Sequence, residues 1–426
     1  MDIIENNKSP RFRPMPATIT ALLVPLRNKL YRNLWTAALL SNFGIWIQYV
    51  AAAWLMTSIA PSVDYVAWVQ AATSFPPLLF TLLGGVLADR FDQRLIFLIA
   101  QSIVLTAALT LSVFQHFGLI TPWMLLGLTF ALDSGSALRY PAYQTTVAEI
   151  LPRAEVPNAL ILSSIGWNIG RVVGPGIGGI IIAIGGVPAA FAVNALCNVY
   201  IIGVLLQWRR RSRISKTPPT AGIMAEVLSG LAHVLAVPQI RATMLCCFVF
   251  CLFASGLWAL LPLVVKHMVG GEASVYGAML GAIGIGALIG ALLINWTRRA
   301  FGLRLLFVAS TAAFAISTTA LALLQSIPLL MVTLAFGGIG WMMTMSTFNV
   351  VVQMAAGDGF KGRAVSVYYV ALFGGIALGS WLWGHVAEEV SVKAGLLAAA
   401  AGLFISLILY RRGTRLAAHF DAASAA

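Results

Sequence analysis

The chain reads as an all-α membrane protein with about twelve transmembrane helices, and three observations lead there. Of its 426 residues, 60% are hydrophobic and only 10% charged, against roughly a quarter charged in a soluble domain. Apolar runs of the roughly 20 residues that cross a bilayer recur near 34–57, 66–88, 95–115, 122–147, 159–184, 188–207, 242–264, 274–296, 304–324, 327–352, 364–386 and 392–410. With the N-terminus placed inside, all but four of the 27 Lys and Arg fall at the inner ends of these runs. That is the positive-inside pattern, so both termini are expected in the cytoplasm and the chain in an inner or plasma membrane.

The same distribution settles what a net charge of +13 means. The bases follow topology and meet anionic membrane lipid, which excludes nucleic acid as a partner. Enzymatic chemistry is excluded by what does not cluster: there is no Ser/His/Asp constellation, phosphate-cradling loop or metal-ligand spacing. His116, His233, His267, His385 and His419 lie near loops, the linker or tails, so no cofactor or metal is expected. Cys197, Cys246, Cys247 and Cys251 fall within apolar runs and read as buried thiols.

Taken in order, residues 1–33 form a basic, Pro-marked tail without the short apolar core of a cleavable signal peptide. In the first run Asn42, Trp46 and Tyr49 recur at i, i+4 and i+7 and give one helix face a polar, aromatic character. That face suits a substrate cavity; interhelical hydrogen bonding with interfacial anchoring is the plainer alternative. Between the second and third runs Gly84-Gly85-Val86-Leu87-Ala88-Asp89-Arg90-Phe91-Asp92-Gln93-Arg94 packs acids and bases into a tight turn. Its glycines allow close helix approach, while its acids can pair with Arg90, Arg94 or a helix end.

The fourth run places Asp133 about 11 residues from the outer end, on the order of 17 Å deep. A charged carboxylate there costs about 2.5–3.5 kcal/mol on insertion scales, which makes it a functional candidate by default. Asp133 is either a carboxyl that gains and loses a proton or one arm of a fixed ion pair with Arg171, which reaches a similar depth on the fifth run. Arg139, roughly 120° around the helix from Asp133, need not be its partner; it would hold an anionic substrate group or cap a helix end. Tyr140, Tyr143 and Gln144 follow it. In the fifth run Gly170, Gly174 and Gly178 make a smooth stripe, with Pro175 bending the helix and Gly179 adjoining. A basic linker, 208–241, leads to the second half, 242–410, and a short tail, 411–426.

The second half repeats the first at an offset of 205, placing Gly85 on Gly290, Arg94 on Arg299 and Gly174 on Gly379. No mid-membrane acid recurs. Any proton chemistry is therefore expected in 34–207, while Trp341, Met345 and Phe348 of the tenth run offer an adaptable apolar wall or ordinary packing.

The turn at Gly85, Asp89, Arg90 and Arg94 resembles the signature loop of major facilitator superfamily transporters, with Asp92 where that pattern has Gly. Gly174-Pro175 with Gly178-Gly179 resembles the antiporter motif of the superfamily's exporters, which seals the interface between two halves. Ser41-Asn42-Phe43-Gly44-Ile45-Trp46-Ile47-Gln48, Leu151-Pro152-Arg153 with Pro157-Asn158-Ala159, and Asn168-Ile169-Gly170-Arg171 resemble the branch of enterobactin exporters and macrolide-efflux-like proteins. The resemblance implies two pseudo-symmetric six-helix bundles, 34–207 and 242–410, with alternating access and proton antiport. The expected activity is export of an amphiphilic small molecule, siderophore or drug-like, in exchange for protons. A proton-linked or facilitative importer and, further off, a non-transporting receptor or assembly factor are the alternatives.

Overall fold

The computed structural model describes residues 22–90, 92–208, 236–356 and 361–412, excepting the side chains of 81–90, 361–363 and 408–412. All but the last turns of the expected N-terminal tail, most of the 208–241 linker and most of the C-terminal tail lie outside the described residues. Among them stand ten α-helices: α1 Lys29–Ile59, α2 Asp64–Arg90, α3 Gln93–His116, α4 Pro122–Ile150, α5 Val156–Gln207, α6 Pro238–Leu263, α7 Ala273–Leu323, α8 Ile327–Ala355, α9 Lys361–Glu389 and α10 Val392–Arg412. Among the described residues seven helices are long and apolar enough to cross a membrane.

Local chemistry sets the helix ends. The Asn28 side chain accepts from the Leu30 and Tyr31 N–H groups at 3.0 and 3.2 Å, so α1 starts five residues before its apolar run. Asp92 does the same for α3, accepting from Arg94 N at 2.9 Å. Its departure from the superfamily pattern thus serves as an N-cap. Arg94 donates from Nε to Leu205 O and from Nη2 to Leu206 O, both at 3.0 Å, placing a cation on the carbonyl end of α5. Gly85, Asp89 and Arg90 lie on the last turns of α2, and their side chains are outside the described set.

Two pairs of expected runs are joined by bends instead of loops. Helix α5 turns at Gly186 (φ 73°, ψ 176°) and α7 at Gly302 (φ 71°, ψ 165°). These are backbone conformations only glycine holds without strain.

Helix α1 packs on both arms of α5, α4 on α2 and α3, α6 on α9, and α8 on α7, while α2 meets α9 and α5 meets α7. Glycines set these seams, and the offset of 205 relates them. A Cβ placed on Gly170 would lie 3.2 Å from Asn42 Cβ and one on Gly174 2.6 Å from Trp46 Cβ, both on α1. At Gly375, 205 residues on from Gly170, it would lie 2.6 Å from Phe248 O on α6. Gly179 faces Ala273 O on α7 at 2.8 Å, and Gly384, again 205 on, faces Ala67 Cβ on α2 at 2.6 Å.

One end of the molecule is closed. There Lys266 Nζ donates to Thr57 O (2.7 Å) and Ser58 Oγ (3.0 Å), Glu388 Oε2 accepts from Val63 N at 2.6 Å, and the Trp54 and Tyr276 rings stack 6.2 Å apart. At the other end Tyr140 is 64% exposed and Gln144 is also exposed.

Gly179→Leu is expected to force α5 and α7 apart and lower stability by about 1–3 kcal/mol, read as a lower thermal-unfolding midpoint of the purified protein. Gly176→Leu, whose Cβ would meet nothing within 4 Å, is expected to stay within about 0.5 kcal/mol of the parent. Equal effects would remove the seam argument.

Candidate functional site

The site is built where α1, α4 and α5 converge. Asp133 of α4 is 2% exposed, and its Oδ1 accepts a hydrogen bond of 2.6 Å from the Tyr49 hydroxyl of α1. Its Oδ2 is buried without a partner. Among the described residues no carboxylate reaches Arg171, and its Nε is buried and unpartnered. The fixed pair with Arg171, one of the two readings left open for Asp133, is thus not formed, and Tyr49 meets the carboxyl instead. Equal depth does not bring two groups together; the direction each leaves its helix decides.

Trp46 extends the polar face of α1. Its ring meets that of Tyr49 edge-on at 5.5 Å and that of Trp167 at 5.9 Å, with its Nε1 buried and unpartnered. Asn42 is buried against Gly170. Gly174 gives Trp46 its seat, and Gly178 packs on Ile47. Pro175 and Gly179 turn instead toward α7, so the glycine motif of α5 serves two seams at once.

Arg139 donates from Nη1 to Ser41 Oγ at 2.8 Å, and this contact opens onto a buried amide ladder. Ser41 donates to Asn198 Oδ1 at 3.3 Å, Gln101 Nε2 donates to the same oxygen at 2.6 Å, and Asn198 Nδ2 reaches Asn194 O at 2.8 Å. Asn194 Nδ2 then donates to Gln48 Oε1 at 3.2 Å. Gln101, Asn194 and Asn198 escaped sequence reasoning because each is one amide in an apolar run. The Asn194/Asn198 spacing of i, i+4 was the available signal.

Of the remaining expected residues, Tyr140 and Gln144 sit on the open end of α4, where Tyr140 approaches Tyr369 of α9. Trp341 and Met345 are half-buried on α8, and Tyr368 donates to Met345 O at 3.3 Å. Phe348 is fully buried, its ring 5.2 Å from Phe307 and 6.2 Å from Phe250. It lies inside the packing of 242–410, behind any exposed wall. Arg298, which the sequence assigns to an inner loop, is half-buried on α7, donates from Nη2 to Ser346 Oγ at 2.9 Å and leaves Nε unpartnered. Among the described residues no group of His, Cys, Asp and Glu has the geometry of a metal site.

Long apolar helices around an internal polar surface, closed at one end, define a polytopic membrane protein whose chemistry faces its own interior. Residues 20–425 match the transmembrane secretion effector family of the major facilitator superfamily, and the chain belongs to that family: it is a multi-pass membrane transporter, not an enzyme. It is 27% identical over 376 residues to the multidrug efflux pump Tap of Mycolicibacterium fortuitum, covering 85% of this chain and 90% of that protein. It is 22% identical over 358 residues to the staphyloferrin A transporter of Staphylococcus aureus, covering 84% and 89%. In fold it is similar to the crystal structure of the nucleoside transporter NupG, with a TM-score of 0.67 at 12% identity over 90% of this chain and 98% of the other.

Among the described residues the Tyr49 hydroxyl is the hydrogen-bond partner of Asp133, so Tyr49→Phe is expected to lower the unfolding midpoint by the equivalent of about 1–3 kcal/mol. In a double-mutant cycle with Asp133→Asn the two changes should couple by about 0.5–3 kcal/mol. Strict additivity would show that the bond contributes nothing.

Proposed function

We propose that the chain is a secondary active exporter of an amphiphilic small molecule, driven by proton antiport. The observation that carries this reading is the buried Asp133 carboxyl, bonded through one oxygen to Tyr49 and bare at the other. A group so placed can exist charged or neutral, and Oδ2 is the atom a proton joins. Protonation removes the charge that the Tyr49 hydroxyl supports, so α1 and α4 are held together differently in the two states. The efflux pump and siderophore transporter among the relatives support export of a drug-like or siderophore-like molecule.

In this reading the arms of α5 and α7 count separately and give twelve crossings. These form two six-helix bundles, 34–207 and 242–410, with both termini in the cytoplasm of a plasma membrane. The closed end is then the outer one, and the open end admits substrate from the cytoplasm to a surface made by Asn42, Trp46, Tyr49, Tyr140, Gln144, Trp341 and Met345, with Phe348 behind it. Arg139 and Arg171 supply its positive charge near the proton site. Alternating access rocks the two bundles along the Gly179 and Gly384 seams, with the turn at Gly85, Asp89, Arg90 and Arg94 controlling the inner end. The membrane potential contributes about 2.3 kcal/mol per charge per 100 mV.

The test compares solutes inside and outside cells making equal amounts of parent protein and Asp133→Asn. Parent cells are expected to accumulate at least one solute outside against its gradient. Asp133→Asn cells should lose that uphill export while the purified variant still exchanges the same solute across vesicles at equal concentrations. Uphill export by Asp133→Asn at the parent rate would remove Asp133 from proton coupling.

A further inference from the structure

The interior surface carries more positive charge than its one mid-membrane acid can balance. Asp133 is engaged by Tyr49, while among the described residues Arg171 has no carboxylate within 4 Å and no hydrogen-bond partner at Nε. An uncompensated guanidinium at that depth is costly, so a ligand is the natural source of its counter-charge.

The direction of Arg171 follows from the seams. Helical residues advance by roughly 100°. Gly170, Gly174 and Gly178 of α5 face α1, and Val172, Pro175 and Gly179 face α7. Arg171 falls between these two faces, on one stripe with Leu160, Ser164 and Trp167 at spacings of four, three and four. Leu160, Ser164 and Trp167 are exposed, although the outward apolar stripe of α5, with Val173, Ile177 and Ile180, lies on the far side. Arg171 therefore points into the space between α1 and α7 that the open end reaches. Trp46 begins at Gly174 and ends against Trp167, so its indole, with a second unpartnered donor, lies beside the turn that carries Arg171.

A second cation marks the approach. Gly284 of α7 packs on Val172, and Arg298 is 14 residues further on, about 20 Å toward the open end. It lies away from the outward stripe of Leu288, Leu292 and Trp296, with its Nε unpartnered. A passage with cations at its mouth and depth, lined by tryptophan, selects for a negatively charged group on an apolar body.

We propose that the cleft takes a small organic anion and that Arg171 binds its acid group, with Trp46 and Trp167 against its apolar part. This rests on the reading of the chain as a small-molecule transporter and adds the sign of the substrate's charge.

The test uses the purified protein in phosphatidylcholine nanodiscs, with empty nanodiscs subtracted, and three probes sharing one ring: 2-naphthoxyacetate, 2-naphthoxyethanol and 2-naphthoxyethyl-trimethylammonium. The parent is expected to bind the acid at least about ten-fold more tightly than either other probe. Arg171→Gln should bring the acid-to-alcohol ratio near one, and Arg171→Lys should keep part of it. No binding of the acid, no charge preference, or a preference that survives Arg171→Gln would overturn the assignment. So would loss of the preference when phosphatidylglycerol replaces phosphatidylcholine, since the anion would then be lipid. A protein that shows the preference but exports nothing keeps the anion site and loses the transport reading. Uphill export of a cation at the parent rate by Arg171→Gln does the reverse.

Discussion

Helices in lipid gain nothing from excluding water between them, so contact depends on how closely their backbones approach. Here glycine sets that approach. Gly170 and Gly174 seat α1 on α5, Gly375 and Gly379 seat α6 on α9, and Gly179 and Gly384 bring α7 to α5 and α2 to α9. Asp133 meets Tyr49 because the first of these seams fixes how α1 is turned, and the Trp46 side chain has space because position 174 has none. The polar chemistry is a consequence of the packing.

The offset of 205 carries the seams but not the polar residues. The α1–α4–α5 side holds Asp133, Tyr49, Arg139 and the amide ladder. The corresponding region of 242–410 is filled by rings, with Phe250, Phe314 and Trp341 mutually within 6 Å. The repeated backbone thus carries unlike interiors, one polar and one filled by rings, a division the lack of a second mid-membrane acid already suggested.

The all-helical membrane class was legible because its signal, apolar length, is one-dimensional, whereas the caps at Asn28 and Asp92 and the bends at Gly186 and Gly302 were not read from the sequence. Asp133 was legible for the same reason, as an acid within an apolar run. Its partner was not. Depth along a helix can be counted, and it nominated Arg171, but the azimuth of each helix depends on Gly170 and Gly174 meeting particular residues of α1. Arg298 shows the complementary failure. Its run ends at 296, yet α7 continues to Gly302 and carries the side chain inward to Ser346. The ladder of Gln101, Asn194 and Asn198 exists only once α3 and α5 are side by side.

The contacts at the closed end bear on whether that closure is permanent. Lys266 donates to a carbonyl in the last turn of α1, and Glu388 accepts from the backbone N–H just before α2. Each places a charge on the helix end whose dipole welcomes it, and each joins 242–410 to 34–207. Such bonds are made with backbone atoms at exposed ends, where water can replace them at little net cost. The glycine seams beneath them bring the backbones of the two halves close at Gly179 and Gly384. One buried apolar cluster also takes in residues of both halves, Ile47 and Met56 with Leu261 and Tyr276 among them, so the polar bonds are the exchangeable part of a closure that apolar packing shares. The fold therefore holds its closed end in two ways, by polar bonds to exposed backbone ends that water can replace and by ring stacking and apolar packing that it cannot.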